Sequence, residues 1–267
     1  MNVLIKVVIQ LIANYHTHTW RCNHASGVEM EYVENGLRMG LQILGFSDHS
    51  PYIFPGEYYS SFRMRLEQLD EYAETILALR AHYAGRIDIP LGLELEYYPN
   101  LFPQLLPILR EKPVDYLLLG QHFIGDEYDG IYNGLTTSDV RILRRYCDQT
   151  IDALQTGVFT YAAHPDLLHF CGDPKKYKEE MRRICVEARS CGIPLEVNLL
   201  GIANGRHYPN PLFWELAAEE GCDVILGRDA HSPDALLDIA AEKRGLEIVG
   251  SLGLKLIEKV SLRDIHG

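Results

Sequence analysis

The chain has 267 residues, 47% of them hydrophobic and 23% charged. That length and balance suit one large α/β domain spanning 1–267 better than two small ones, in an ordinary globular enzyme. The formal net charge of −12 with no Lys/Arg run excludes general nucleic-acid binding, because nothing is there to displace counterions from a phosphate backbone. Cys22, Cys147, Cys171, Cys185, Cys191 and Cys222 contain no C-x-x-C pair and read as reduced thiols of a cytoplasmic protein. The opening MNVLIKVVIQLIA is apolar. It lacks a basic n-region, carries Lys6 and is too short to span a bilayer, so residues 1–10 read as an extension of unassigned role, with no membrane partner expected.

Beyond it, short apolar runs alternate with amphipathic stretches, the pattern of a parallel sheet with helical crossovers. Strands are expected at Leu11–Tyr15, Ile43–Ser47, Asp88–Leu93, Tyr116–Gly120, Phe159–Ala163, Ile193–Val197 and Asp223–Gly227. Helices are expected near 28–41, 66–84, 138–155, 175–191, 211–220 and 233–244. Ser138 and Ser232 suit N-caps, and Pro211 and Pro233 suit a first helical turn. Gly85, Gly192, Gly221 and Gly245 sit where helices should stop. Seven such strands suggest a barrel close to the (β/α)8 type, whose chemistry belongs at the C-terminal rim.

Metal-type side chains cluster at those strand ends: seven of the eleven histidines, one glutamate and one aspartate. N-Y-H-T-H places His16 and His18 two apart, on one side of a strand, and His24 follows in the next loop. F-S-D-H-S-P supplies His49, with Asp48 able to orient an imidazole. G-L-E-L-E-Y contains Glu94 and Glu96, which should face the same side. G-Q-H-F gives His122, A-A-H-P-D gives His164, and G-R-D-A-H-S-P gives Asp229 and His231. The sixth strand ends instead at Asn198. Nitrogen and carboxylate donors delivered to one rim are what a multinuclear metal site requires. Arg206, in N-G-R-H-Y-P, and Arg63, in S-F-R-M-R, are the residues proposed to grip a phosphate.

This ordered set resembles the PHP (polymerase and histidinol phosphatase) superfamily from about Asn14 to about Pro233. RCNHASG, FSDHSPY, GLELEYYP, DYLLLGQHFIG, AHPDLL and EVNLLGIANGRHYPNP resemble its histidinol-phosphatase branch in particular. The resemblance implies a distorted TIM-like (β/α)7 barrel, three divalent metals (Zn, Mn or Fe) and phosphate monoester hydrolysis. It also implies a partition: His16, His18, Glu94 and Asp229 on one metal; Glu94 bridging to a second with His122 and His164; His24, His49 and His231 on the third. Glu96 then keeps a secondary role, at most on substrate affinity. Arg228 departs from the small residue many relatives carry and could alter access or touch phosphate.

The expected activity is an L-histidinol-phosphate phosphatase of histidine biosynthesis. Hydroxide between the Glu94-bridged metals would attack phosphorus while the third metal neutralises a phosphoryl oxygen. Glu94, Asp229 and His231 are the catalytic candidates, the last two able to protonate the leaving alcohol only through a metal-held water. The amine of such a substrate calls for an acidic side chain near the mouth. The alternative is a PHP phosphoesterase for another small phosphorylated metabolite or nucleotide. A nuclease fits the acidic chain poorly, and a metal-storing protein without turnover is the non-enzymatic reading.

Overall fold

The computed structural model describes residues 11–267, so the expected extension at 1–10 lies outside the described residues. Among the described residues the strands are β1 Ala13–Asn14, β2 Ile43–Leu44, β3 Phe46–His49, β4 Leu91–Leu95, β5 Tyr116–Leu119, β6 Phe123–Ile124, β7 Ile131–Tyr132, β8 Phe159–Ala162, β9 Leu195–Asn198, β10 Asp223–Gly227 and β11 Lys255–Leu256. The α-helices are α1 Glu29–Arg38, α2 Leu69–His82, α3 Phe102–Arg110, α4 Val140–Gln155, α5 Pro174–Cys191, α6 Leu199–Ala203, α7 Pro211–Glu220 and α8 Ile239–Leu252.

The main sheet runs β11-β10-β9-β8-β5-β4-β3, parallel throughout. β1 closes it into a barrel. On one side, β1 pairs with β2, and Gly45 N and Ser47 N donate to Asn14 O and Thr17 O at 2.8 Å each. On the other side, His18 N donates to Ala230 O at 2.9 Å and Ala230 N to His16 O at 3.1 Å, just past the end of β10. The staves are thus β1, β2–β3, β4, β5, β8, β9 and β10, the (β/α)7 arrangement. Distortion is concentrated at β8, which slips register against β5 at Leu117/Leu118 and meets β9 at the single pair Ala162↔Leu195.

Side-chain alternation along the strands separates two apolar layers. Leu117 and Leu119 of β5 face the surrounding helices, while Tyr116 and Leu118 point inward with Ala13, Tyr15, Tyr161, Ala163 and Ile225. Tyr116 fills the barrel floor. Its hydroxyl donates to Tyr15 O at 2.6 Å, and a Cβ at Gly92 would fall 2.3 Å from its ring, which is why that strand position is glycine.

Helix α5 stops at Gly192 (φ 61°) and α7 at Gly221 (φ 67°), as expected. Gly245 does not stop α8, which continues to a left-handed Gly253. Its missing side chain instead admits α6: a Cβ there would lie 2.6 Å from Leu199 Cδ2. The N-cap of α4 is Asp139, which accepts from Arg141 N, not Ser138, and Ser232 precedes a 3₁₀ turn with no side-chain cap. Helix α3 was not expected, because Pro103 and Pro107 mask it; Pro103 falls in the first turn, where its missing N–H costs little. Among the described residues no helix is long and apolar enough to cross a membrane, and all six cysteines are free.

Candidate metal centre

Each expected metal-type residue lies on the barrel rim, and all nine converge on one pocket. His24, His49, Glu94, His122, His164, Asp229 and His231 line a cavity of about 540 Å³. His16 and His18 lie behind Glu94 and Asp229 with no exposure at all. Backbone geometry serves the site: His164 (φ 31°) and Asp229 (φ 49°) hold positive φ where their strands turn into the rim loops. Non-glycine residues there cost about 1–3 kcal/mol each.

Glu94 is the hub. One carboxylate oxygen, Oε2, lies 3.5 Å from both His16 Nε2 and His18 Nε2 and 3.2 Å from His49 Nδ1. The other, Oε1, lies 2.9 Å from His164 Nε2 and 3.7 Å from His122 Nε2. Gly120 makes the room, since a Cβ there would come within 1.9 Å of that carboxylate. Asp229 Oδ1 lies 3.2 Å from His18 Nε2 and 3.5 Å from His16 Nε2. The rings of His24, His49 and His231 form a neighbouring group with centroids 4.6–6.3 Å apart.

Five imidazoles share one arrangement. Nδ1 of each meets a protein oxygen: His16 at Glu196 (2.8 Å), His18 at Asp48 (3.4 Å), His24 at the Cys22 carbonyl (2.8 Å), His122 at Glu96 (2.9 Å) and His231 at the Asp229 carbonyl (3.0 Å). With Nδ1–H donated outward, Nε2 is left as a bare donor toward the cavity, the tautomer a metal ligand needs.

Seven polar atoms of these side chains are left unsatisfied. His16 Nε2, His18 Nε2, His49 Nδ1, Glu94 Oε2, His164 Nδ1, Asp229 Oδ1 and His231 Nε2 are buried without a hydrogen-bond partner. Orphaned groups of this kind are expensive, so seven converging in one site need a partner. A divalent cation fits: His18, His49 and His231, or His16, His18 and Glu94, offer atoms all within 4.8 Å of one another.

Electrostatics agree with that donor set. Burial opposes charge on Glu94 and Asp229, yet the surrounding imidazoles, His16 foremost, hold both carboxyls well below the usual carboxylate range. Burial also opposes protonation of His16 and His18. Glu196, Asp229 and Glu94 outweigh it at His16, raising its pKa well above the ordinary value; Asp229 and Asp48 push His18 up to about 9. His231, buried beside His18, is pushed down to about 3. Without metal the site therefore attracts protons onto His16 and His18, and a cation would take their place.

Beneath the rim, Glu196 is the residue the sequence reading missed. It has no exposure and accepts from Asn198 Nδ2 and His164 N at 3.0 Å each, besides its contact with His16. Gly227 opposite leaves space for it, as a Cβ there would sit 1.7 Å from its carboxylate. A lone glutamate inside the apolar run I-P-L-E-V-N was the available signal. Asn198 in turn donates to Asp229 Oδ2 at 3.0 Å, giving the sixth strand's polar end a supporting task.

The three arginines separate. Arg206 is exposed at the pocket mouth, where NH1 donates to the Tyr208 hydroxyl at 2.7 Å. Arg63 does not reach the cavity wall. It is buried, with its nitrogens engaged by Glu96, Glu127 and the Ser50 carbonyl, so the expected phosphate grip is not available to it. Arg228 is also withdrawn, bonded to Glu242 and the Asp238 carbonyl, and joins β10 to the start of α8 rather than adding a phosphate contact. Among the described residues no acidic one besides Glu94 and Asp229 lines the pocket, so the carboxylate expected for a substrate amine is not found among its described walls.

A family model described as the PHP domain matches residues 14–199. The chain belongs to the PHP family. A "Probable histidinol-phosphatase" of Deinococcus radiodurans is 32% identical to this PHP protein over 96% of the chain and 94% of the relative. A protein of the same description from Schizosaccharomyces pombe is 24% identical over 91% and 89% of the two chains. Among solved structures, histidinol phosphate phosphatase of Lactococcus lactis, complexed with zinc, L-histidinol and phosphate, superposes with a TM-score of 0.74 at 19% identity. That match covers 95% of this chain and 100% of the other, and it shows the shared fold.

Proposed function

We infer that the protein is a divalent-metal-dependent phosphate monoester hydrolase acting on L-histidinol phosphate. The observation that carries the metal chemistry is the gathering of seven unsatisfied buried polar atoms at one rim, five imidazole nitrogens with one oxygen each of Glu94 and Asp229. The substrate assignment is carried by likeness to histidinol-phosphatases along nearly the whole chain. In the proposed partition His16, His18, Glu94 and Asp229 hold one cation, and Glu94, His122 and His164 a second. His24, His49 and His231 hold the third.

Bound cations there would polarise the phosphoryl group and acidify a water near neutral pH. The chain's own groups do the rest. Glu94 offers one oxygen to each side, so a single carboxylate keeps two ligand sets in fixed relation. Glu196 and Asp48 hold the His16 and His18 rings so that their donors face inward before any ligand arrives. Arg206 is placed to grip the phosphate at the mouth with a planar fork. Because Arg206 donates to the Tyr208 oxygen, the Tyr208 hydroxyl proton is left for an acceptor in the pocket. Phe62, Phe123, Tyr132, Leu167 and Leu200 add an apolar and aromatic surface suited to a small ring-bearing alcohol.

Phosphate release from a panel of esters tests this reading. The kcat/KM for L-histidinol phosphate should exceed that for p-nitrophenyl phosphate, nucleotides and sugar phosphates. Equal or better turnover of an unrelated ester would assign the same centre to another small phosphorylated metabolite.

A further inference from the structure

Arg63 is a large charged side chain buried at 1% exposure, outside the pocket wall and unused by the chemistry above. Its guanidinium is spent on three separate pieces of chain. NH2 donates to both oxygens of Glu96 at 3.1 Å, Nε to Glu127 Oε2 at 2.8 Å, and NH1 to the Ser50 carbonyl at 2.9 Å. Its carbon lies 4.4 Å from the Phe62 ring centroid and 5.5 Å from that of Tyr52, both on the same loop between β3 and α2.

Each arm leads somewhere. Glu96 Oε1 is the acceptor for His122 Nδ1 at 2.9 Å. Glu127 Oε1 accepts from Tyr58 at 2.9 Å, fastening the middle of the same loop. Phe62, next to Arg63, stands edge-on to the His49 ring at 5.2 Å and stacks on Phe123 at 5.9 Å, forming pocket wall. One cation thus fixes both the acceptor that orients a metal-type histidine and the loop that walls the cavity.

We propose that Arg63 is a positioning residue which sets metal affinity at His122 through Glu96 and seats residues 50–64 against the centre, so that loop seating and metal occupancy are coupled. The proposal rests on the metal-centre reading and not on the identity of the ester. Coupling of this kind is reciprocal: metal at His122 tightens the loop as much as the seated loop tightens the metal. Glu96 alone cannot do this, since a carboxylate free to rotate offers His122 no fixed acceptor. A lysine in place of Arg63 could reach one carboxylate but could not span Glu96, Glu127 and Ser50 together.

Removing Arg63 alone leaves two buried carboxylates uncompensated and risks the fold. The informative variant is therefore Arg63→Gln with Glu96→Gln, which keeps the net charge of the cluster. It is compared with the wild type and with Arg63→Lys in chelator-buffered zinc titrations read by elemental analysis. In the double variant one zinc equivalent should weaken by about 10–100-fold, the range for groups that orient a ligand. The remaining equivalents should stay bound, and zinc should no longer slow chymotryptic cleavage after Tyr58 and Tyr59. Arg63→Lys should fall between. With an ester substrate, excess zinc should restore kcat at unchanged KM. Zinc binding and zinc-dependent protection identical to wild type would overturn the proposal. So would a raised KM at full metal content, which would return Arg63 to the phosphate. A wild-type protein that binds no zinc would instead overturn the metal-centre reading beneath it.

Discussion

Tyr116 at the foot of β5 and Gly120 just past its rim end are four residues apart, and they sit among polar groups treated in opposite ways. At the floor, the Tyr116 hydroxyl is hydrogen-bonded to a main-chain carbonyl and its ring is wrapped by glycine backbones. At the rim, Gly120 makes space for Glu94, whose Oε2 is buried among imidazole nitrogens without a hydrogen bond. An unsatisfied buried polar group costs about 1–3 kcal/mol. The floor secures the barrel, and the rim gives up stability to present donors that only a cation completes. The same strands do both because side chains of alternate residues turn inward at successive heights.

Glu94→Gln should break that contrast most severely. Losing the hub disturbs two ligand sets at once, so metal should be lost at two positions and kcat should fall by several orders of magnitude. Elemental analysis beside steady-state kinetics checks it; a variant with its full metal content would remove Glu94 from the bridging role. Arg206→Ala should lower kcat/KM at least tenfold with metal content intact, and Arg206→Lys should recover part of the loss. Wild-type kinetics would make Arg206 an ordinary exposed loop residue. The smallest effect belongs to the floor. Tyr116→Phe should lower stability by about 1 kcal/mol in denaturant unfolding while metal content and kcat stay unchanged. A fall in metal content there would mean floor and rim are not separable.

What was legible follows from locality. H-x-H, S-D-H, Q-H-F and D-A-H each carry their signal within a few residues, and the strand before each fixes its height on the barrel, so their convergence could be expected. Asp223–Gly227 and Pro211–Glu220 were bounded by clear stop signals and appear where expected. The misreadings depend on distant partners. Arg63 and Arg228 read as candidate phosphate contacts until Glu127 and Glu242, 64 and 14 residues away, are folded against them. Glu96, expected at most to adjust substrate affinity, instead meets His122 across 26 residues. Glu196 was hidden because one carboxylate in an apolar strand has no partner in its own segment, and its contact with His16 spans 180 residues.

The central claim, that the orphaned rim donors exist to hold metal, is tested most directly by elemental analysis of the purified protein, with phosphate release from L-histidinol phosphate followed before and after chelation. Two to three equivalents of transition metal per chain, activity lost on chelation and regained on adding metal back, is the predicted result. Full turnover in protein shown to be metal-free would contradict it.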